Sequence, residues 1–371
     1  MPTDNNTPTT PPLDVFGLMV DEITKRVTAN ATVLLDQKRI ESMVSEAVAK
    51  TKRTLITIED KRRVPSVTTE VNEPVHKVLP DVIGILKSGC WCAAVGPTGS
   101  GKTLGGIQYI KLSGIKMFSV KQMSNMMAPH DLIGFIDAEG HYRKGAWTEC
   151  IIGREYNNDG IAPIGDPTNV PAMIIIDEMD NANANIIMLV KALAVGHIMM
   201  PYGLQKVNPS LGVMATMNTW GTGANREYVG RMAQDAALLN EFSFVEWGYD
   251  TDFERELLEQ TFASFTSTGD YELKHMHCLH SMFISMRAKA EAQKIRCIIS
   301  TRDIIKTAKI LLNNTSWPIH KVLCQTVYKG MKDEEIKRIE APEHWTPVAV
   351  KTGKPAQPTG HIIPPSPTCP I

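Results

Sequence analysis

The distribution of apolar positions divides the chain into a part with strand-like runs and a part with helical periodicity. Between about residues 75 and 250, short and continuously apolar segments such as WCAAVG (91–96) and AMIIID (172–177) alternate with helical stretches. Such runs are typical of buried strands in a parallel sheet with crossover helices. From residue 251 to residue 339 the pattern is helical almost throughout. The pattern therefore predicts an α/β core over 75–250 and a helical lid domain over 251–339.

The regions outside these two parts have different patterns. Residues 1–13 are rich in Thr, Pro and Asn, and residues 340–371 contain prolines too often for a helix or strand, so both are predicted to be disordered tails. Residues 14–74 are predicted to form a helical arm with two short strands, within TLITIED and VPSVTTEV. One apolar stripe at helical spacing supports the arm, and it contains Ile40, Met43, Val44, Ala47 and Val48.

Composition and charge narrow the functional classes. The chain of 371 residues is 43% hydrophobic and 21% charged with a net charge of −1, so no global field draws it to nucleic acid or anionic lipid. No apolar run approaches the roughly 20 residues of a membrane helix, and the N-terminus lacks the pattern of a secretory signal. The seven cysteines are odd in number and scattered, which argues against a disulfide framework. We therefore expect a cytoplasmic protein with no membrane partner.

The segment GPTGSGKT, from Gly96 to Thr103, fits the phosphate-loop pattern G-x-x-x-x-G-K-[ST]. In such a loop the glycines let backbone N–H groups converge on phosphate oxygens, and the following helix adds its N-terminal amides and dipole. Lys102 is expected to neutralise the β- and γ-phosphates, and the Thr103 hydroxyl to bind Mg²⁺. A strand-like run precedes the loop and a helix-compatible one follows, which disfavours a simple glycine-rich turn. The predicted nucleotide-binding residues are Gly96, Pro97, Thr98, Gly99, Ser100, Gly101, Lys102, Thr103 and Leu104.

Two carboxylates follow the second apolar run, in MIIIDEMDN. Asp177 and Glu178 are expected at the carboxyl end of a strand, where α/β sheets bind ligands. Asp177 suits a position that holds Mg²⁺ directly or through water, and Glu178 can orient and activate a water against the γ-phosphate. A strand that ends in solvated carboxylates is the alternative. A Glu directly after the Asp favours hydrolysis over a kinase, which would need its acceptor there.

A third strand-like run, LGVMATMN, ends at Asn218, whose side chain is expected beside the acidic pair, where it can hold the attacking water or contact the γ-phosphate. At this point the chain resembles AAA+ ATPases, in the order phosphate loop, apolar-Asp-Glu, strand-Thr-x-Asn and helical lid. More narrowly, it resembles the branch of MoxR, the cobaltochelatase CobS and dynein-related proteins, including CobS-like ATPases of bacteriophages.

Three further segments carry this resemblance, which spans roughly residues 75–312. LIGFIDAEGHYRKGAW (132–147) is similar to the hairpin insert of the second helix, and DEMDNANANIIMLVKALAVG to the acidic motif and its helix. REYVGRMAQDAALLNEF is similar to the segment that follows the polar residue at the tip of the third strand. The resemblance implies a P-loop NTPase core, nucleotide at subunit interfaces and a homo-oligomeric ring, a hexamer in this family.

One departure concerns the arginine finger. Family members usually end the last segment in Asp-Arg-Phe, whose Arg reaches the γ-phosphate of the neighbouring subunit, but the matching residues here are Asn240, Glu241 and Phe242. An arginine finger is worth about 10³–10⁵ in rate, and a carboxylate would repel the phosphate. Arg231 and Arg226 are therefore the candidate trans arginines. The alternative is that both are surface residues or salt-bridge partners within their loop; if no other arginine reaches the γ-phosphate, the ATPase is slow.

Arg302 lies in the sequence STRDII, at the start of a predicted helix after a Ser-Thr cap signal. The context S-x-R matches that of the family's sensor 2 arginine, so the resemblance implies that Arg302 contacts the γ-phosphate in cis. A pairing with Asp303 or solvent is the alternative, although cations are not favoured at helix N-termini.

Two weaker patterns have open interpretations. The cluster HMHCLH packs possible metal ligands more tightly than usual spacings and has no second ligand pair nearby, so a metal site is disfavoured; it contains His275, His277, Cys278 and His280. At the tip of the predicted hairpin, His141 or Tyr142 could line a pore and grip a substrate, or could equally cap a turn.

These patterns together predict a ring-shaped AAA+ ATPase that uses Mg²⁺ and ATP to remodel a macromolecular client, protein or nucleic acid, in the cytoplasm (of the host, if a phage encodes it). The alternatives are a nucleic-acid translocase, which needs a basic channel, and an assembly switch with little turnover, which the missing Asp-Arg-Phe favours. A GTPase is disfavoured because the chain contains no N-K-x-D sequence, and a metabolic kinase is disfavoured by Glu178.

Overall fold

The computed structural model describes residues 54–58, 67–71, 73–158, 160–265, 273–314 and 316–340. The disordered tail predicted for residues 1–13 and the helix predicted for the arm lie outside this part, as does the C-terminal tail except for Glu340, so these remain predictions.

Within the described residues, strands and helices alternate up to residue 246, and only helices follow from residue 251. The strands are β1 (Thr54–Ile58), β2 (Val67–Val71), β3 (Trp91–Val95), β4 (Met117–Gln122), β5 (Phe135–Ile136), β6 (Tyr142–Arg143), β7 (Ala172–Asp177), β8 (His197–Met200), β9 (Gly203–Lys206), β10 (Leu211–Met217) and β11 (Phe242–Glu246). The α-helices are α1 (Leu79–Lys87), α2 (Lys102–Ser113), α3 (Pro129–Ile133), α4 (Thr148–Ile152), α5 (Ala184–Val195), α6 (Ala236–Leu239), α7 (Thr251–Phe265), α8 (Leu273–Ala292), α9 (Thr301–Asn313), α10 (Ile319–Thr326) and α11 (Asp333–Ile339).

Five of these strands form a parallel sheet in the order β11-β3-β10-β7-β4, which confirms the predicted α/β fold class. The three strands located from the sequence are the central ones. Their sequences are continuously apolar because helices cover both faces of the sheet there. The edge strands β4 and β11 are only partly covered, and their alternating sequences MFSVKQ and FSFVE gave a weaker signal.

Helix α2 packs closely against the sheet. The close packing places the start of the helix over the central strands. Tyr109 and Ile110 pack in one buried cluster with Ile175 of β7 and Met214 of β10. A methyl group added at Gly106 would lie 2.8 Å from Ile175 Cδ1 and 3.0 Å from Met214 Sδ, so only glycine permits this approach. The opposite face of the sheet carries a larger cluster, to which α4 and α5 contribute, and which includes Ile151, Ile152, Ile174, Ile176, Ile186 and Val190.

The hairpin predicted between residues 132 and 147 is present, as β5 and β6 between the short helices α3 and α4. The pore interpretation of Tyr142 is wrong, because its side chain is 1% exposed and its hydroxyl donates to the Ile133 carbonyl at 2.6 Å. The alternation of polar and apolar residues did not reveal that this ring turns inward. His141, by contrast, is exposed. A second hairpin, β8–β9, was not predicted.

The two strands predicted in the arm are confirmed as β1 and β2, which pair antiparallel. The helices predicted after residue 250 are confirmed as α7 to α10, followed by α11. They share one apolar core, which includes Leu258, Leu279, Phe283, Ile304, Ala308 and Leu323. Among the described residues, no helix is long and apolar enough to cross a membrane.

The HMHCLH cluster lies on α8, where the described side chains of His277, Cys278 and His280 do not converge. His280 is buried with Nε2 at 3.9 Å from Glu254 Oε2, whereas His277 and Cys278 are exposed. In the described part of the chain no group of three or more His, Cys, Asp or Glu is arranged to hold a metal.

Candidate nucleotide-binding site

The phosphate loop connects the end of β3 to the start of α2, as its sequence predicted. Two backbone bonds hold the start of the loop: the Gly96 N–H donates to the Met217 carbonyl at 3.1 Å, and the Trp247 N–H to the Val95 carbonyl at 2.7 Å. The indole N–H of Trp247, itself fully buried, donates to the Ser100 carbonyl at 3.1 Å. The loop is therefore anchored by residues from β10 and from the segment after β11.

Lys102 is buried, and all three protons of its ammonium group are used within the chain. Nζ donates to the carbonyls of Gly96 and Pro97, each at 2.8 Å, and to Asn218 Oδ1 at 3.0 Å. Burial lowers the pKa of Lys102 to about 8, although the carboxylates of Asp177 and other nearby acids raise it. Lys102 and Asn218 therefore lie in one site, a contact that was not predicted from the sequence.

The Asp177 carboxylate accepts hydrogen bonds from two hydroxyl groups. Its Oδ1 accepts from Thr103 and from Thr216, each at 2.6 Å. Mg²⁺ prefers oxygen ligands, such as those of hydroxyl and carboxylate groups, and is commonly bound by one or two carboxylates plus substrate phosphates. The side chains of Thr103 and Asp177 lie in contact at the start of α2, so they fit the predicted ion.

Glu178 follows in a left-handed backbone conformation, with φ 56° and ψ 48°. Few non-glycine residues adopt this region, and such strain is typical of functional positions. The Glu178 N–H donates to Thr216 Oγ1 at 3.0 Å, so the Thr216 hydroxyl bridges both members of the acidic pair. The turn separates the two carboxylates: Asp177 faces Thr103, and Glu178 faces Arg231, whose guanidinium lies 3.2 Å away.

Asp180 connects the end of β10 to Arg231 beneath the site. It was not identified as a site residue from the sequence. Its side chain has no exposed surface, and its Oδ2 accepts from the N–H groups of Asn218 and Thr219, each at 3.0 Å, and from the Thr219 hydroxyl at 3.1 Å. Its Oδ1 lies 3.5 Å from Arg231. A further acid so soon after Asp177 and Glu178, in D-E-M-D, was the only sequence signal for Asp180, but its hydrogen-bond partners lie about 40 residues later in the chain.

The predicted arginines occupy three different environments. Arg231 is mostly buried in ion pairs with Glu178 and Asp180 of its own chain, neither of which belongs to its own loop. Arg226 is exposed on the same loop. Arg302 is exposed on the first turn of α9, and a methyl group added at Gly99, where φ is +72°, would meet Ser300 Cβ at 2.8 Å and Arg302 Cβ at 3.5 Å.

The start of α9 therefore lies against the phosphate loop. Asp303, the alternative partner of Arg302, instead accepts from the Ser300 N–H and hydroxyl in a capping box. Asn240 and Glu241, at the place of the family's Asp-Arg, are exposed directly before β11.

Two tyrosines hold Thr98, in the middle of the loop, from outside. The Thr98 N–H donates to the Tyr228 hydroxyl at 2.9 Å, and the Tyr249 hydroxyl donates to the Thr98 carbonyl at 3.1 Å. The Tyr249 ring lies under the Arg287 guanidinium, 3.9 Å from the ring centroid, and Arg287 pairs with the fully buried Glu254 at 2.8 Å. Contacts thus run from the phosphate loop into the helical part, through residues that no local motif marks.

No protein-family model and no curated protein sequence matches the chain. Among solved structures, the chain is similar to NtrX from Brucella abortus, at 12% identity and a TM-score of 0.43, over 83% of this chain and 59% of that one. For NtrX in complex with ATP the identity is 13% and the TM-score 0.42, over 82% and 60%. The chain is also similar to S. cerevisiae Hsp104 in complex with casein, at 13% identity and a TM-score of 0.44, over 66% and 45%. It spans less than two thirds of each of these chains.

Proposed function

We propose that the protein binds ATP with Mg²⁺ at the loop 96–103 and hydrolyses it. The observation that carries this proposal is the convergence of Lys102, Asp177, Glu178 and Asn218 at the carboxyl ends of three adjacent parallel strands, β3, β7 and β10. This is the edge at which α/β sheets bind ligands. The four residues supply a phosphate-binding cation, a metal-binding carboxylate, a base and a polar side chain.

Each residue has a distinct role in this proposal. Lys102 and the N–H groups of the loop bind the phosphates, and Thr103 and Asp177 hold Mg²⁺, which supplies charge neutralisation at the phosphate oxygens. Glu178 accepts a proton from the attacking water, and Asn218 orients that water. Arg302 on the first turn of α9 contributes a cation from the helical part.

By the resemblance stated above, the wider proposal is an AAA+ ATPase of the MoxR and CobS-like branch, assembled as a homohexameric ring that remodels a protein or nucleic-acid client. A low-turnover assembly switch is the second candidate. Two observations favour it: Glu178 is ion-paired to Arg231, and Asn240 and Glu241 stand where the family has Asp-Arg.

Calorimetric titration of the full chain with ATP, with and without Mg²⁺, tests the core of the proposal, together with a phosphate-release assay. We expect magnesium-dependent ATP binding and phosphate release. The variant Lys102→Met, which keeps the length of the side chain but not its charge, should bind ATP far more weakly. Folded wild-type protein that takes up no ATP would overturn the proposal.

The ring is tested separately by light scattering of Glu178→Gln with ATP, because this variant is expected to retain ATP and to trap the assembled state. A monomer under these conditions would count against the ring while leaving ATP binding intact. Phosphate release that stays negligible with every client would favour the switch.

A further inference from the structure

A loop between β10 and α6, here named the strap (residues 222–233), lies over the candidate site. The strap is closed by an antiparallel bridge between Thr222 and Ala233. Within it, Asn225 Oδ1 accepts from the N–H groups of Glu227 and Tyr228, at 2.9 and 2.7 Å, which sets a tight turn. This turn places Tyr228 and Arg231, three residues apart, on two different parts of the site.

Tyr228 occupies a donor of the phosphate loop. Its hydroxyl accepts the Thr98 N–H at 2.9 Å, and the N–H groups of such a loop are the ones that cradle phosphate oxygens. Burial raises the pKa of Tyr228, so the ring remains a neutral phenol at physiological pH. A neutral hydroxyl is a weaker partner for this N–H than a phosphate oxygen would be, because hydrogen bonds to charged acceptors are stronger.

Arg231 occupies the other part of the site. Its guanidinium lies 3.2 Å from Glu178 Oε2 and 3.5 Å from Asp180 Oδ1, and its side chain is 13% exposed. This contact engages one oxygen of the Glu178 carboxylate and fixes the side chain toward Arg231, which restricts how its other oxygen can approach an attacking water. Water screens the ion pair between Arg231 and Asp180 only partly, because Asp180 has no exposed surface.

Lys102 completes the arrangement, since its three ammonium protons are directed to two loop carbonyls and Asn218. Three groups that the proposed function assigns to ATP, namely the Thr98 N–H, the Lys102 ammonium and the Glu178 carboxylate, are therefore paired within the protein. Two of these three groups, the Thr98 N–H and the Glu178 carboxylate, are paired with residues of the strap.

We infer that the strap is an intramolecular restraint on this ATPase: Tyr228 competes with the terminal phosphate of ATP for the phosphate loop, and Arg231 restrains Glu178 until that phosphate displaces the strap. The strap faces the terminal phosphate because Arg231 contacts the residue proposed to activate water there. This inference rests on the proposed function. It assigns Tyr228 and Arg231 as positioning residues of the resting state and makes Arg231 a cis contact in that state.

The first test compares the affinities of wild type, Tyr228→Phe and Tyr249→Phe for ATP and for ADP by calorimetry. Tyr228→Phe removes only the competing oxygen, so we expect about fivefold tighter ATP binding, the size of one net hydrogen bond, with little change for ADP. Tyr249→Phe is the matched control, because its hydroxyl holds the Thr98 carbonyl and competes with no phosphate. It keeps the ring under Arg287 and should not tighten ATP binding.

An ATP affinity of Tyr228→Phe that is unchanged or weaker than wild type would overturn the inference, and so would an equal gain for ADP. These outcomes differ from a failure of the proposed function, in which wild type itself binds no ATP.

The second test compares basal phosphate release by Arg231→Gln and by wild type at ATP concentrations below saturation, where the strap of wild type still occupies the site. A restraint predicts faster release than in wild type, because Glu178 is freed, whereas loss or no change of turnover would overturn this part. The Tyr228→Phe experiment leaves Asp180 and its partners intact, so the inference stays testable if Arg231→Gln does not fold.

Discussion

The phosphate loop and the strap face the same site but are held in different ways. The start of the loop is fixed by backbone bonds to Met217 of β10 and to Trp247 after β11, and by tight packing: a methyl group added at Gly96 would lie 1.9 Å from the Trp247 carbonyl oxygen. The strap is attached to the site by the Tyr228 hydroxyl, the Arg231 ion pairs and the Met232 N–H, which donates to the Asp180 carbonyl at 2.9 Å.

This difference indicates which part can move when a ligand arrives. Displacing the loop would break parallel-sheet hydrogen bonds and open the core, whereas displacing the strap exchanges a few polar contacts, each worth about 1 kcal/mol in net terms. Binding and restraint are thus built into separate parts of the structure. Variants on the two sides should accordingly differ in whether they change chemistry, stability or affinity.

The largest effect is expected on the chemical step. Glu178→Gln removes the proposed base while keeping the size of the side chain, so phosphate release should fall by about 10²–10⁴-fold, the usual contribution of general base catalysis. ATP affinity, measured by calorimetry, should change little. Glu155→Gln, an exposed acid outside the site, is the control and should behave as wild type. Turnover within a few-fold of wild type in Glu178→Gln would remove Glu178 as the base.

The next largest effect is expected on stability, at the residue that links the two regions. Asp180→Ala leaves Arg231 and three hydrogen-bond donors without their buried acceptor, so the free energy of unfolding should fall by about 3 kcal/mol, as for other broken buried pairs. Urea unfolding measures this loss.

Asp180→Asn separates charge from hydrogen bonding, because the amide oxygen can still accept from these donors. Its loss of stability should be smaller than that of Asp180→Ala. Equal losses would show that the charge facing Arg231 dominates, and a loss below about 1 kcal/mol in Asp180→Ala would mean that Asp180 does not hold the strap.

The parts of this site that the sequence predicted are those whose interacting residues lie close together along the chain. The loop from Gly96 to Thr103 and the pair Asp177–Glu178 were recognisable because short runs of neighbouring residues carry their chemistry. Tyr228 contacts Thr98 across 130 residues, so no local pattern marks that contact. The same holds for the fold, in which the central strands were recognisable from the sequence because both of their faces are buried and their residues are continuously apolar.

Other features were missed for different reasons. Glu178 adopts a left-handed conformation without being Gly or Asn, so its turn had no residue signal. Tyr142 looked like a hairpin tip, but its ring fills the space between Tyr156 and Tyr202. Arg231 pairs with Glu178, which lies 53 positions earlier in the chain, so no local pattern marks that contact.

A third effect, smaller than the first two, concerns pH. Burial lowers the pKa of Lys102 to about 8, so the ammonium that binds phosphate is charged below this pH and is lost as the pH rises through it. ATP affinity should therefore weaken by up to about tenfold per pH unit above pH 8, with proton uptake on binding. Calorimetry in two buffers of different ionisation enthalpy measures that uptake.

Lys102→Arg is the control for the pH effect, because arginine stays charged over this range. Its affinity should not depend on pH between 8 and 9, whatever its absolute value. If wild type also shows no dependence, Lys102 is not the titrating group that limits binding.

The smallest effect is expected at the Thr216 hydroxyl, which belongs to the fixed side of the comparison. Thr216→Val keeps the shape of the side chain but removes the group that donates to Asp177 and accepts the Glu178 N–H. The loss of one net hydrogen bond should lower phosphate release by about fivefold without tightening ATP binding, because the acidic pair loses its alignment while the strap is untouched. Thr216→Ser retains the hydroxyl and should restore turnover. If both variants match wild type, the left-handed turn at Glu178 is set by the strand and the following 3₁₀ turn, and Thr216 does not position the base.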